Sequence, residues 1–253
     1  MLTIVIWCVA VFLEALLLFR GLQIRLVRSF PIFYLYILFV LVEEVLRFAV
    51  YRLYPKHYSE VYWVTQFVGL VIGSAIIFEI YRVGLRQFPG TARMTRYLLL
   101  VVFGTVFAKA LTNSTGDLFL WLAGTSVALE RSLRIVQEVA ILTLVFLFLL
   151  YAIPFGRNLR GIALGYGLFI GMTVAQFTLW FYFPYRLRTF WPYAQPVSYV
   201  LVLGLWVSAL WFADPVRGTE PAMQLEYDYQ SLATSTRSQL QRALSRLRWA
   251  VRP

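Results

Sequence analysis

Glu43, Glu44 and Arg47 lie inside a long apolar stretch. Ionisable groups in such a setting are expensive, and they usually mark a binding site or a translocation path. Glu43 and Arg47 are four residues apart and Glu44 and Arg47 three, so on a helix either carboxylate reaches the guanidinium. One pair neutralises itself, and the other carboxylate then needs a partner or a proton. This is the chemistry of ligand binding or proton movement. Parts for covalent or metal catalysis are scarce, because Cys8 is the sole cysteine and His57 the sole histidine. A disulfide within the chain, a thiolate metal cluster, a paired-histidine haem site and a Ser-His-Asp arrangement all lose their usual components. The expectation is a non-enzymatic chain with no cofactor and no metal.

The remaining polar residues in apolar stretches fall into two groups by depth. Gln66, Lys109, Asn113, Gln137, Glu138 and Gln176 join Glu43, Glu44 and Arg47 in the outer half, with Lys109 facing Glu44 or Glu138. They form either a polar network tying helices together, at ~0.6 kcal/mol per interhelical hydrogen bond, or an outward-facing cavity. Glu14, Glu79 and Arg82 form an inner cluster, in which Glu79 and Arg82 pair at helical spacing and Glu14 is a third member.

The elements that must hold these groups follow from hydropathy. The 253 residues are 60% hydrophobic and 14% charged, against roughly a quarter charged in soluble domains. Apolar stretches cover about 2–20, 31–53, 59–83, 94–113, 131–153, 160–184 and 192–212, and ~20 such residues suffice to cross a bilayer. The expected fold is therefore all-α, an integral membrane bundle of seven transmembrane helices. Residues 114–130, broken by Gly116 and Gly124, read as an interfacial segment. The net charge of +11 is nearly all arginine, since Lys56 and Lys109 are the only lysines. In this setting it points to an anionic leaflet and not to nucleic acid. Arg20, Arg25 and Arg28, then Arg82, Arg86, Arg93 and Arg96, then Arg157 and Arg160 fall in alternate connections. Positive-inside logic puts the amino terminus outside and the carboxyl terminus in the cytoplasm, as for a multi-pass protein of the bacterial cytoplasmic (inner) membrane.

Two parts are expected, a transmembrane domain over 1–212 and a cytoplasmic linker with a basic amphipathic helix over 213–253. In the second, Leu240, Ala243, Leu244, Leu247, Ala250 and Val251 recur at helical period while Arg242, Arg246 and Arg252 take other faces. Such a helix lies on anionic lipid headgroups or docks on a partner. Gly161, Gly165, Gly167 and Gly171 make two overlapping small-xxx-small patterns that let neighbouring helices approach closely.

Tyr62-Trp63, Phe78-Glu79-Ile80-Tyr81-Arg82, the run Arg131 to Glu138 and the run Phe155 to Gly167 resemble an uncharacterised group of bacterial seven-helix membrane proteins. The resemblance implies a shared fold over most of the chain and no known activity. The topology also resembles seven-helix receptors and the membrane input modules of bacterial sensor kinases. The function expected is receptor-like, sensor-like or scaffolding: a small ligand or lipid bound in the outward cavity, with a separate cytoplasmic signalling partner. The alternative is a carrier moving protons or solutes through the carboxylates and Lys109.

Overall fold

The computed structural model describes residues 2–86, 88–112, 118–150, 156–182 and 191–212, with residues 227, 230, 231 and 233–237 of the tail. Long α-helices fill these segments: α1 (Leu2–Gln23), α2 (Pro31–Leu53), α3 (Tyr58–Gly84), α4 (Pro89–Thr112), α5 (Leu118–Leu150), α6 (Arg157–Tyr182) and α7 (Trp191–Leu210). Short 3-10 turns at Leu26–Arg28 and Pro55–His57 join the first three. Prolines set several starts. Pro31 and Pro89 occupy first helical positions, where the missing N–H would go unbonded anyway. Between α1 and α2 the chain turns through Arg25, which takes a left-handed backbone at φ 58 that non-glycine residues seldom adopt.

The seven-span expectation is corrected here. Among the described residues, three helical segments are long and apolar enough to cross a membrane: Ile4–Gln23 in α1, Pro55–Gly84 around α3 and Tyr193–Leu210 in α7. For α2 the physical reason is charge placement. Glu43, Glu44 and Arg47 fall so close together that no 18-residue stretch of α2 avoids them. A count of apolar stretches does not weigh how densely charges cluster within one of them. The resemblance to seven-helix bacterial membrane proteins, and to seven-helix receptors and sensor modules, falls with the same finding. What stands is an all-α chain with several long apolar helices, consistent with a multi-pass membrane-associated protein.

Two local expectations concern single segments. Of residues 114–130, those from Leu118 onward are helical and continuous with the rest of α5. The amphipathic stripe from Leu240 to Val251 lies outside the described residues.

The helices pack α2 on α3, α1 on α7, α6 on α7, α3 on α5 and α5 on α6. Their shared core is aliphatic and aromatic: Phe33 and Ile37, Ile76, Ile77 and Ile80, Leu133 and Leu144, Tyr166 and Ile170, then Val202, Leu203 and Trp206. The outer surface is apolar too, with Phe12, Leu22, Val101, Phe146 and Leu149 all exposed. Soluble proteins rarely leave so much apolar surface uncovered.

The four α6 glycines divide between two neighbours. Gly161 and Gly165 face α7, where an added β-carbon would collide with Ala209 and with the Trp206 indole. Gly167 and Gly171 face α5, with Ile141 and Glu138 within 3.1 and 3.3 Å of such a carbon. One small-residue run thus serves two interfaces.

One end of the bundle is basic. The Arg20 side chain at the end of α1 donates to the Trp211 carbonyl just past α7, at 2.9 Å. Arg157 at the start of α6 donates to the Ser208 carbonyl at 3.3 Å. Glu79, near the end of α3, meets the start of α2: both of its oxygens accept backbone N–H groups, from Ile32 at 2.9 Å and Phe33 at 2.8 Å. Phe30, in the N-cap position, offers no side-chain cap of its own. Glu79 therefore performs for α2 what a local Ser or Asp performs for most helices.

Candidate functional site

At the opposite end, where α1, α3 and α7 begin and α2 finishes, lies a cavity of about 430 Å³. That is within the usual size of small-molecule sites. Its polar walls come from Glu43, Glu44 and Arg47 on α2, Gln66 on α3, Arg134 on α5 and Tyr199 on α7. Trp7, Tyr36 and Phe169 supply aromatic surface.

Arg47 makes the choice that spacing left open. It pairs with Glu43 one turn away. It also donates to Thr65 Oγ1 at 2.9 Å, to the Tyr62 carbonyl at 3.2 Å and to Gln66 Oε1 at 3.3 Å, and it lies over the Tyr62 ring at 4.3 Å. Each of these partners is on α3, so the guanidinium is a brace between α2 and α3. Gly69 keeps the two helices close, with Phe39 at 3.4 Å from where a β-carbon would stand. Glu44 is the carboxylate left over. Trp7 of α1 faces it, and its Oε2 is buried without a hydrogen bond.

Glu14 belongs with this cavity and not with Glu79. Its Oε1 accepts the Tyr199 hydroxyl at 2.6 Å, and its side chain is fully buried between α1 and α7. Tyr199 faces the cavity and so links Glu14 to it. Glu79 and Arg82 do meet, at a long 3.7 Å, but the principal partners of Glu79 are the α2 backbone groups. Replacing Tyr199 with phenylalanine is expected to destabilise the fold by about 1–3 kcal/mol, the cost of leaving a buried hydrogen-bonding group without its partner. A denaturation midpoint equal to that of the wild type would show that the bond carries no stability.

The other expected site residues are dispersed. Gln137 is fully buried and donates to Ser74 Oγ at 3.0 Å, in a knot between α3 and α5 where Gly73 admits the Tyr166 hydroxyl. Glu138 turns toward Gly171 of α6. Gln176 donates to Ser198 Oγ at 2.8 Å and joins α6 to α7. These three do not line the cavity. The Lys109 side chain and Asn113 lie outside the described residues. Among the lining residues that escaped sequence reading are Arg134, Tyr199 and Trp7. Arg134 lies one turn before Gln137 and Glu138 and over the Phe169 ring at 5.0 Å, so helical spacing was the signal available.

Among the described residues, no group of three His, Cys, Asp or Glu side chains is placed to hold a metal ion. Comparison with protein-family models, with curated proteins and with solved structures finds no match.

Proposed function

We propose that this chain is a non-enzymatic membrane protein of receptor or sensor type that binds a small polar ligand in the cavity beside Glu44. One observation carries the reading: two carboxylates, two guanidiniums, Gln66 and the Tyr199 hydroxyl converge on a single cavity of about 430 Å³. Packing alone requires far fewer polar groups in one place. With Glu43 committed to Arg47, Glu44 presents an unbonded acceptor while Arg134 supplies positive charge from the facing helix. A ligand bearing both signs of charge, such as an amino-acid-like zwitterion, suits those walls. The membrane is that of the bacterial cytoplasm, its anionic leaflet against the basic end and tail, and any signal passes to a separate cytoplasmic partner.

The test is a thermal-shift screen of small zwitterions against purified full-length protein. A ligand present at 100 times its dissociation constant stabilises by about 2.7 kcal/mol. Glu44→Gln keeps the shape of the side chain and is expected to lose that stabilisation for every hit. If no zwitterion stabilises the wild type, or if the variant responds equally, the reading fails.

The Tyr199–Glu14 link favours one second reading, a carrier in which charge passes from the cavity toward Glu14. Proteoliposomes that move neither protons nor the bound zwitterion would exclude it.

A further inference from the structure

A second cleft lies at the basic end, between the end of α3 and the start of α4, with a volume of about 690 Å³. Arg82 and Arg86 line it from α3, and Arg93 and Arg96 from α4. Leu85 and Phe88 hold the turn between these pairs. Both are buried, and Phe88 donates its N–H to the Leu85 carbonyl at 3.0 Å. The two arginine pairs thus line one cleft from adjoining helices.

Among the described residues, the only carboxylate in the lining is Glu79. Both of its oxygens are already taken by Ile32 and Phe33 N–H groups, and its approach to Arg82 is long, at 3.7 Å. Among the described residues, Arg86, Arg93 and Arg96 have no ion pair. Like charges one turn apart repel, so four gathered guanidiniums call for an anion. Guanidinium is the side chain whose planar fork matches phosphate oxygens best.

What adjoins the cleft indicates the source of that phosphate. Past Arg96 the exposed residues of α4 turn apolar at once: Tyr97, Leu98, Leu100 and Val101, with Val101 at 66% exposure. At 1.5 Å of rise per residue they begin within about 8 Å of the Arg96 backbone. Leu99 and Leu100 also form one wall of the cleft itself. A soluble phosphate compound gains nothing from this apolar strip. A phospholipid has a headgroup for the arginines and acyl chains for the strip.

We propose that the α3–α4 cleft binds the phosphate headgroup of an anionic phospholipid, with its acyl chains laid along the exposed apolar face of α4. Basic pockets between helices at a membrane surface recognise lipid headgroups in this manner. The site is separate from the cavity beside Glu44 and stands whether or not that cavity binds a zwitterion.

The experiment uses detergent-solubilised full-length protein and short-chain phosphatidylglycerol, with short-chain phosphatidylcholine and inorganic phosphate as comparisons, read by thermophoresis. Phosphatidylglycerol is expected to bind at least about tenfold more tightly than either comparison, a tenfold ratio being 1.4 kcal/mol. Combining Arg93→Gln with Arg96→Gln, both at exposed positions, should remove most of that preference. Equal affinity for phosphatidylglycerol and phosphatidylcholine overturns the proposal, as does an unchanged preference in the double variant. Inorganic phosphate binding as tightly as the lipid overturns the assignment to lipid. Should the double variant not fold, a salt titration of the wild type decides. Affinity for phosphatidylglycerol falling with salt upholds the arginine site, and a flat response overturns it.

Discussion

Gly165→Val is expected to cost about 3 kcal/mol or more, the upper range for overpacking a filled core. A β-carbon at 165 would stand 2.7 Å from Trp206 Cδ1 and 3.0 Å from Cε2, with the indole nitrogen closer still. Neither side can give way. Trp206 is fully buried, and its ring is held edge-on against Phe33 at 5.0 Å. The glycine in turn is committed by its own helix, since Gly161 one turn earlier meets Ala209. The test is a chemical denaturation midpoint on detergent-purified protein, with Trp206→Leu as the second arm. If the indole is the obstacle, Gly165→Val combined with Trp206→Leu loses less than the sum of the two single variants, a coupling of 0.5–3 kcal/mol being usual for residues in contact. Strict additivity would place the cost elsewhere.

Glu79→Ala is the other substitution with a large expected effect. It strips the first turn of α2 of two acceptors at 2.9 and 2.8 Å, in a place where Phe30 provides no substitute. Hydrogen bonds to a charged group contribute about 1.5–3 kcal/mol each, and buried donors left unmet cost more than the mean bond suggests. A loss of about 3–5 kcal/mol follows. Glu79→Gln discriminates between causes. Its single carbonyl oxygen can still serve one of the two N–H groups, so capping predicts a loss near half that of alanine. If the ion pair with Arg82 were the main contribution, glutamine would cost as much as alanine, and Arg82→Gln would cost as much again. Arg82 is over half exposed and its pair is long, so Arg82→Gln is expected to change stability little.

Composition and apolar periodicity were enough to indicate an all-helical, membrane-associated chain and the approximate place of each helix. They were not enough to say which helices are apolar enough to cross, because that depends on where charges fall within each stretch. Glu43, Glu44 and Arg47 illustrate both sides of this. Their spacing on one helix announced an ion pair and a spare carboxylate, and the structure selects Glu43 for the pair because Arg47 also needs Thr65 and the Tyr62 carbonyl on α3. Glu14 was misjudged as a companion of Glu79. Depth along a helix says how far a residue lies from the end and not which neighbour it faces, and Glu14 faces Tyr199. Glu79 was read as half of an ion pair because Arg82 lies three residues on. No spacing rule connects a carboxylate with backbone groups 46 and 47 residues earlier. Gln137 and Gln176 were read from sequence as polar groups inside apolar stretches, but a glutamine bonded to a serine on the next helix looks the same in sequence as one that lines a cavity.

The cap supplied by Glu79 also sets an order of events during synthesis. When α2 leaves the ribosome its first N–H groups have no acceptor, and the carboxylate that will meet them is made only after α3 is nearly complete. A backbone donor buried without an acceptor is costly, so α2 gains little by packing before α3 is made. Helices α2 and α3 then enter their final arrangement as a hairpin, closed by one side chain near its open end and by Arg47 near its turn.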